Sequence, residues 1–316
     1  MKILNTLGES YPRVALDIVK ELGEVDFKNP SQAELASMIG DYDAAVIGLG
    51  LVFNKEILEK AGRLKVIATA TTGLDHIDLA TAASRGVEVL SLRGEDEFLT
   101  TITGTSELAF GLLINLLRFL PTAFESVKKN EWDRDRFRGH NLYGKTLGIL
   151  GMGRLGKWMA RYGEAFGMNV IYADPKVELD PSYKYKKVSF EELIEASDVV
   201  SIHVHLAPDT ENMFNAKIFA KMKQGACVIN TARGKIVNEV DLLEALRSGR
   251  VAGYAADVLS DELNFVNKRF AENPLVQYAQ DHNNVIITPH IGGMTAESRE
   301  RTDVFMAGKL KRFLRK

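Results

Sequence analysis

The chain has 316 residues, which predicts about two domains on a length prior of ~150 residues each, and its 46% hydrophobic and 26% charged residues are typical of globular domains. The net charge of −2 gives no electrostatic footprint for nucleic acid. No stretch approaches the ~18 consecutive apolar residues of a membrane span, and the apolar run at the start of the chain is too short for a signal peptide. The single cysteine, Cys227, excludes an intramolecular disulfide, so we expect a cytoplasmic protein without nucleic-acid or membrane partners.

Short apolar runs alternate with longer amphipathic stretches along almost the whole chain. The runs are of strand length and rich in Val, Ile and Ala, and their continuous hydrophobicity predicts strands that are buried on both faces of parallel sheets. We expect strands at 44–49, 64–70, 86–90, 146–150, 169–173, 198–203, 226–230, 251–257 and 284–288. Alternation of such strands with helices predicts an α/β fold, with crevices at the carboxyl ends of the strands.

The longest helical stretch, Thr105–Leu120, is apolar around most of its circumference. Such a helix is expected to be buried on several sides, with another subunit as one candidate cover. Pro121 then opens the next turn or helix, and the charged and aromatic stretch 130–143 is expected to wrap the surface. We place the entry to a nucleotide-binding domain near residue 99.

A glycine-rich loop follows directly after the predicted strand that ends at Leu150. It reads Gly151-Met152-Gly153-Arg154-Leu155-Gly156 and leads into a predicted helix over 157–166. The first glycine allows a tight turn, the second lets a pyrophosphate approach the backbone, and the third lets the helix pack on the strand. The alternative is a tight strand–helix turn without a ligand, and Arg154 either contacts the pyrophosphate or is solvated.

Asp174 ends the next predicted strand, about 20 residues beyond the glycines, as dinucleotide-binding folds require. A carboxylate there accepts hydrogen bonds from the adenosine ribose and repels a 2′-phosphate. The sequence therefore predicts NAD rather than NADP as the cofactor. The alternative is that Asp174 is only a turn residue before Pro175.

Three residues far apart in the chain suggest a reaction: Arg233, Glu262 and His290. A cation that grips a carboxylate, an imidazole that donates a proton and a carboxylate beside that imidazole are what hydride reduction of a 2-oxo acid requires. Each residue alone also has an ordinary structural interpretation, and Asp261 is an alternative to Glu262. His76, His203, His205 and His282 are better explained as structural residues, and Cys227 as an inert core residue.

Taken in order, several segments resemble the D-isomer-specific 2-hydroxyacid dehydrogenase family, which includes D-3-phosphoglycerate dehydrogenases. They are Thr72–Asp78, Leu142–Pro175, Asn230–Val237, Ala256–Val258 and Thr288–Gly293. The resemblance implies two doubly wound parallel-sheet domains with a cleft between them. One is a discontinuous, flavodoxin-like substrate domain, 1–98 plus 291–316, and the other is a Rossmann NAD-binding domain, 99–290. It also implies a homodimer built around the 105–120 helix.

The resemblance further implies a role for each site residue. Arg233 binds the substrate carboxylate and carbonyl oxygen, and His290 is the general acid in reduction and the general base in oxidation. Glu262 pairs with His290 and favours the imidazolium. Backbone amides around Thr72 and Gly73 hold the substrate carboxylate. Thr231, Ala232, Asp257 and Gly292 complete the cofactor-binding set, with Thr231 and Asp257 lining the nicotinamide site, and no metal is expected.

Some segments depart from the family pattern. His205 and Ala207 replace a proline and a threonine in a loop near the cofactor, which leaves its NAD contacts open. The segment around Arg93 also differs, and Arg93 contacts either a substrate phosphate or only solvent. The chain ends soon after Arg312, so a short form without serine feedback is expected. Glu262 argues against formate dehydrogenase, which has glutamine at that position.

The leading hypothesis is NAD-dependent interconversion of a 2-oxo acid and a D-2-hydroxy acid. A phosphoglycerate dehydrogenase-like enzyme, a hydroxypyruvate or glyoxylate reductase and a sugar-acid dehydrogenase all remain open, because a fold does not settle a substrate. An NADP-dependent reductase is disfavoured by Asp174. A rival from a different class is an NAD(H)-sensing binding protein or corepressor that uses the same fold.

Overall fold

The computed structural model describes residues 1–180, 182–262 and 269–315. The chain divides into two compact units, a first unit of Met1–Ile102 with Met294–Lys316 and a second unit of Thr103–Gly293. The boundaries fall a few residues later than 98 and 290 because of side-chain packing and hydrogen bonding. Phe98 stacks on Phe305 with ring centroids 4.0 Å apart, which keeps this segment in the first unit, whereas the backbone of Gly292 is bound to Asp257 in the second.

The first unit is built on a five-stranded parallel sheet whose strand order is β2-β1-β3-β4-β5. This is the flavodoxin-like order. Its strands are β1 Lys2–Asn5, β2 Glu24–Phe27, β3 Ala44–Ile47, β4 Val66–Thr69 and β5 Glu88–Leu90. Its helices are α1 Arg13–Lys20, α2 Gln32–Met38, α3 Lys55–Lys60, α4 Leu79–Ser84, α5 Asp96–Leu99 and, at the end of the chain, α13 Ala296–Leu314.

The second unit contains a seven-stranded parallel sheet, β12-β11-β10-β9-β6-β7-β8. The strand order reverses between β6 and β9, as in Rossmann folds, where ligands bind beyond the carboxyl ends of the strands at this switch point. Its strands are β6 Thr146–Leu150, β7 Asn169–Ala173, β8 Lys186–Lys187, β9 Val199–Ile202, β10 Ala226–Asn230, β11 Val251–Ala256 and β12 Val285–Ile287. The two-sheet α/β prediction is confirmed.

The helices of the second unit flank this sheet. They are α6 Gly104–Arg118, α7 Leu120–Lys128, α8 Arg154–Ala165, α9 Phe190–Ala196, α10 Ala216–Lys221, α11 Glu239–Arg247 and α12 Pro274–Asp281. Polar side chains begin several of them: Asn238 accepts from the N–H groups of Val240 and Asp241, and Asn273 caps α12 in the same way. Such caps satisfy N–H groups that have no partner within the helix.

The sheet cores explain why the apolar runs form strands. Every residue of β3, β4, β9 and β10 is buried, as expected for parallel strands covered by helices on both faces. Among the described residues, no single helix is long and apolar enough to cross a membrane. One pair, Asp96–Arg118 with Leu120–Lys128, meets that test only when its two parts, bent by 64°, are taken together.

Candidate active site

The glycine-rich loop lies at the switch point of the seven-stranded sheet. Gly151 has a left-handed φ of 92°, and a Cβ there would lie 2.8 Å from the backbone of His203 at the end of β9. A Cβ on Gly156 would overlap the carbonyl oxygen of Gly151, so the third glycine lets α8 pack against the loop. Gly153 instead faces open space and begins α8 without a side-chain cap.

These features fit a dinucleotide. The first N–H groups of a helix have no partner within the helix, and they favour an anion such as pyrophosphate. The space beside Gly153 lets such a group approach the backbone N–H groups of Arg154 and Leu155. Among the described residues, Thr231 at the end of β10 also has a buried hydroxyl without a hydrogen-bond partner, which a bound group can satisfy.

Asp174 follows β7 and holds the glycine-rich loop. Its Oδ2 accepts from the N–H of Met152 at 2.8 Å, and its Oδ1 accepts from the N–H groups of Lys176 and Val177 at 2.8 and 3.0 Å. The carboxylate therefore has both a turn-stabilising role and a position next to the cradle. Carboxylate oxygens have about four lone-pair sites, so these bonds leave capacity for ribose hydroxyls.

His290 and Glu262 form a hydrogen-bonded pair. The imidazole Nδ1 lies 2.8 Å from Glu262 Oε1, and the two side chains are only partly exposed, at 28% and 20%. An ionised carboxylate only accepts, so the proton of this bond belongs to Nδ1. The other ring nitrogen, Nε2, is then the atom that releases or accepts a proton. Asp261, the alternative partner, is exposed.

The backbone of His290 adopts a left-handed conformation, with a φ of 55°. A non-glycine residue in that region costs on the order of 1 kcal/mol or more. Asp257 offsets this cost, because its Oδ1 accepts from the Thr288 hydroxyl at 2.5 Å and from the Ile291 N–H at 2.8 Å, and its Oδ2 accepts from the Gly292 N–H at 2.7 Å. These bonds fix the loop on both sides of His290.

Burial dominates the electrostatics of Asp257, which is only 1% exposed. Burial raises the pKa of this carboxyl, while the hydrogen bonds from Thr288, Ile291 and Gly292 and the nearby His290 oppose the rise. The space at Gly292 is also filled: a Cβ there would lie 3.0 Å from Asp257 Oδ2 and 3.1 Å from Thr105 Cγ2. Proximity of Asp257 and Gly292 to the nicotinamide stays a prediction.

Arg233 lies in a turn that Asn230 holds. The Asn230 amide accepts from the N–H of Ala232 at 3.1 Å and donates to the carbonyl oxygen of Arg233 at 3.0 Å. The same amide nitrogen donates to the phenol oxygen of Tyr254 at 3.3 Å, within the core. The Arg233 Nη1 donates to the Ala232 carbonyl oxygen at 2.7 Å. The backbone that bears the half-buried guanidinium is therefore held in place by Asn230, the last residue of β10.

Gly234 brings the Arg233 turn against the segment that carries Glu262. A Cβ at this glycine would overlap the peptide between Leu259 and Ser260. Only glycine allows this close approach, so residues from the ends of β10, β11 and β12 converge at one edge of the sheet. The carboxylate of Glu262 pairs with the imidazole of His290, and the Arg233 turn packs on the segment that leads to Glu262. A cation, a carboxylate and an imidazole of this kind can bind an acid and move a proton.

Other predicted site residues lie elsewhere. Thr72 and Gly73 follow β4 in the first unit, where the Thr71 hydroxyl donates to the Gly73 carbonyl oxygen at 2.8 Å; their role in substrate binding stays a prediction. Arg93 is exposed, and its contact with a substrate stays open. In residues 1–180, 182–262 and 269–315, no group of three or more His, Cys, Asp or Glu residues could hold a metal ion.

The loop after β9, where the sequence departs from the family pattern, is closed by Thr210. Its hydroxyl accepts from the Ala207 N–H at 2.8 Å and donates to the His205 carbonyl oxygen at 2.7 Å. His203 at the start of this loop has its Nε2 2.8 Å from the Ser201 hydroxyl. Burial lowers the pKa of His203 to about 4, so the ring is neutral near neutral pH and serves as a structural group.

Sequence reasoning did not single out Asn230, Gly234 or Glu239. Glu239 accepts from the Ser260 N–H and from the Asn273 amide. Gly234 and Glu239 meet atoms of distant segments, and Asn230 joins its local turn to Tyr254, so no local spacing indicates these roles. The nearest available sign was the position of Asn230 and Gly234 on either side of Arg233.

The comparison with protein families agrees with this geometry. The family model described as the D-isomer specific 2-hydroxyacid dehydrogenase, NAD binding domain, matches residues 110–292. The chain therefore belongs to the D-isomer specific 2-hydroxyacid dehydrogenase family, as the segment resemblance predicted. The matched part is the NAD-binding domain of that family, so the prediction of NAD as the cofactor is confirmed.

Particular relatives are similar over almost the whole chain. D-3-phosphoglycerate dehydrogenase of Methanocaldococcus jannaschii is 35% identical over 305 residues, which are 95% of this chain and 55% of that relative. D-lactate dehydrogenase from Aquifex aeolicus, solved with NAD and lactic acid, has a TM-score of 0.86 at 28% identity, over 100% of this chain and 96% of that one. A glyoxylate reductase from Paecilomyes thermophila has a TM-score of 0.83 at 29% identity, over 100% and 96%.

The share of each relative that this chain covers differs between the two groups of relatives. The chain spans about half the length of the D-3-phosphoglycerate dehydrogenases that it matches, from 50% to 55% for the first three relatives. By contrast, it covers almost all of the lactate dehydrogenase and the glyoxylate reductase. The names of these relatives refer to three different substrates: phosphoglycerate, lactate and glyoxylate.

Proposed function

We propose that this chain catalyses the NAD-dependent interconversion of a 2-oxo acid and a D-2-hydroxy acid. The observation that carries the proposal is the 2.8 Å hydrogen bond between His290 Nδ1 and Glu262 Oε1, next to the Arg233 turn in a Rossmann unit of this family. A bound nicotinamide supplies or accepts the hydride. The glycine-rich loop, Asp174 and Thr231 are the residues that would hold the cofactor.

The chain's own residues handle the charge and the proton. The planar guanidinium of Arg233 presents several N–H donors, which suit both the carboxylate and the carbonyl oxygen of a 2-oxo acid. His290 donates the proton on Nε2 to the carbonyl oxygen during reduction and takes it back from the hydroxyl during oxidation. Glu262 accepts from Nδ1, which fixes the tautomer and the orientation of the ring.

Asp174 supports a preference for NADH over NADPH. Its carboxylate lies at the end of β7 and contacts the glycine-rich loop through the Met152 N–H. A 2′-phosphate near this position meets a like charge, whereas ribose hydroxyls meet an acceptor. Asp174 also supports the turn that follows it. The preference for NADH is therefore attributed to the negative charge of Asp174, because its role in the turn does not depend on the cofactor.

The substrate is proposed as a class. A phosphoglycerate dehydrogenase-like activity is supported by the relatives at 30–36% identity, and reduction of pyruvate, hydroxypyruvate or glyoxylate by the similarity to lactate dehydrogenase and glyoxylate reductase structures. A sugar-derived 2-oxo acid belongs to the same chemistry. All of these substrates share the 2-oxo carboxylate that Arg233 and His290 address.

The test is oxidation of NADH and NADPH in the presence of a panel of 2-oxo acids. The panel contains phosphohydroxypyruvate, hydroxypyruvate, glyoxylate, pyruvate, branched-chain and sugar-derived acids. The proposal expects turnover of at least one acid with NADH and a D-configured product. NADH binding without turnover of any acid would instead favour the nucleotide-sensing alternative.

We also propose that the chain forms a homodimer through α6 and α7. Large apolar side chains are exposed on α7 and after it, including Phe124 at 65% and Trp132 at 89%. Burial of such side chains is a main driving force for association. Light scattering should give twice the chain mass, and Phe124→Glu should shift the protein towards monomer, while Val14→Glu, at an exposed apolar position of the first unit, should not.

A further inference from the structure

The segment that carries Glu262 is held at both of its described flanks by one side chain. Glu239, the first residue of α11, accepts from the Ser260 N–H through Oε1 at 2.7 Å. Its other oxygen, Oε2, accepts from the Asn273 amide nitrogen at 2.9 Å. Ser260 precedes Glu262 by two residues, and Asn273 begins α12 on the other side.

The orientation of the Asn273 amide, which donates to Glu239, is fixed by its other hydrogen bonds. The Asn273 side-chain oxygen accepts from the N–H groups of Leu275 and Val276, as the cap of α12. The amide therefore cannot turn over without losing the cap, and its nitrogen must face Glu239. Because Ser260 also presents an N–H, Glu239 faces two donors, one at each of its carboxylate oxygens.

The same region is packed tightly against the Arg233 turn. Gly234 leaves no space for a Cβ beside the Leu259–Ser260 peptide. Displacement of Ser260 would therefore disturb both the Arg233 turn and the position of Glu262. Glu262 itself depends on this local backbone, because its Oε2 accepts from the Leu259 N–H at 3.3 Å.

We propose that Glu239 is a positioning residue for the reaction: by clamping Ser260 and Asn273 it holds Glu262 where Glu262 accepts the hydrogen bond from His290. The effect of Glu239 on turnover rests on the proposed function, whereas its two hydrogen bonds to Ser260 and Asn273 do not. In the described contacts, Glu239 bonds to neither His290 nor Glu262 and acts through the backbone of the 259–262 segment.

The test replaces Glu239 by Gln, which keeps size and removes one acceptor. In either amide orientation, one of the two donors then faces an N–H group. The matched control is Glu244→Gln on the same helix, where the exposed carboxylate pairs only with Arg247 in the described contacts. The first readout is the downfield proton NMR resonance of the His290 Nδ1–H in the protein without substrate, assigned by its loss in His290→Gln.

The proposal expects that Glu239→Gln weakens or abolishes this resonance through faster exchange with water, while Glu244→Gln leaves it unchanged. In kinetics, Glu239→Gln should lower kcat on the order of tenfold, the effect of a lost charge-assisted hydrogen bond, with the KM for NADH unchanged. An unaltered resonance in Glu239→Gln overturns the proposal, whatever happens to the rate.

A second variant decides the matter if Glu239→Gln does not fold. Asn273→Ser keeps a good helix cap and removes only the amide donor, so it should weaken the resonance relative to the wild type. An Asn273→Ser protein with an unaltered resonance overturns the clamp. If the resonance depends on Glu239 but no 2-oxo acid is reduced, the clamp stands and the proposed reaction fails.

Discussion

Asp257 connects the fold of the second unit to the position of His290, and its replacement by Asn is the most informative single change. The carboxylate accepts three hydrogen bonds, from the Thr288 hydroxyl and from the Ile291 and Gly292 N–H groups. An Asn side chain has one oxygen. In its better orientation, the oxygen keeps the bonds from Thr288 and Ile291, and the amide nitrogen faces the N–H of Gly292.

The expected cost follows from this count. A lost hydrogen bond to a charged group is worth about 1.5–3 kcal/mol, and a buried N–H without an acceptor adds to that loss. The variant should therefore lose about 2 kcal/mol in the free energy of unfolding of the second unit. His290 has a left-handed φ of 55° that these bonds support, so kcat should fall on the order of 10- to 100-fold.

The assay combines urea unfolding, followed by circular dichroism, with steady-state reduction of the best 2-oxo acid. The control is Asp281→Asn, at an exposed position near the end of α12, which should leave both quantities unchanged. An Asp257→Asn protein with normal stability and normal kcat would refute the reasoning that this carboxylate fixes the catalytic loop.

Three further predictions follow from the second unit. Because burial lowers the pKa of His203 to about 4, the unfolded chain takes up this proton first as pH falls below ~6.5, so His203 alone contributes a loss of stability of about 2 kcal/mol between pH 7 and 5. In urea titrations, the wild type should therefore lose about 2 kcal/mol more stability over this range than His203→Gln. Gly234→Ala places a Cβ into the Leu259–Ser260 peptide, so thermal unfolding should show a loss of about 1–3 kcal/mol together with reduced kcat, and wild-type behaviour would contradict the packing. Asp174→Asn removes a charge but keeps one acceptor, and the preference for NADH over NADPH in kcat/KM should fall on the order of tenfold; an unchanged ratio would separate Asp174 from cofactor choice.

Much of the fold could be predicted from the sequence, since its buried parallel strands are continuous apolar runs. All nine predicted runs contain a strand. The strands that were missed are short or polar. β2 reads Glu-Val-Asp-Phe at a sheet edge, where none of its residues is fully buried, and β8 consists of two lysines. β1 lies inside the sheet but has only two apolar residues, too few to show a periodicity.

The helix over 105–120 shows where a pattern indicates burial without identifying the neighbour. The structure forms α6 over Gly104–Arg118, and Leu112, Leu113, Leu116 and Leu117 belong to the core of the second unit. Much of its all-round hydrophobicity is therefore accounted for within the chain. Strongly exposed aromatic side chains lie beyond it, including Phe124 and Trp132, and no periodicity of the helix itself predicts them.

The sequence predicted the chemical groups of the candidate site better than the residues that hold those groups in position. Glu262 and His290 are brought together as the family pattern implies. The left-handed residue of the loop is His290, although the neighbouring glycines accept that conformation more easily. The loop conformation is set by the acceptor oxygens of Asp257, and a contact across the tertiary structure is not encoded in local residue preferences.

The measurement that tests the central claim most directly compares the wild type with His290→Ala for both NADH binding and turnover. NADH binding, followed by fluorescence, should be the same in the two proteins, because the glycine-rich loop is untouched. Reduction of the preferred 2-oxo acid should fall by about 100-fold or more, the contribution of a positioned general acid. A His290→Ala enzyme that binds NADH and reduces the acid at the wild-type rate would contradict the assignment of proton transfer to His290.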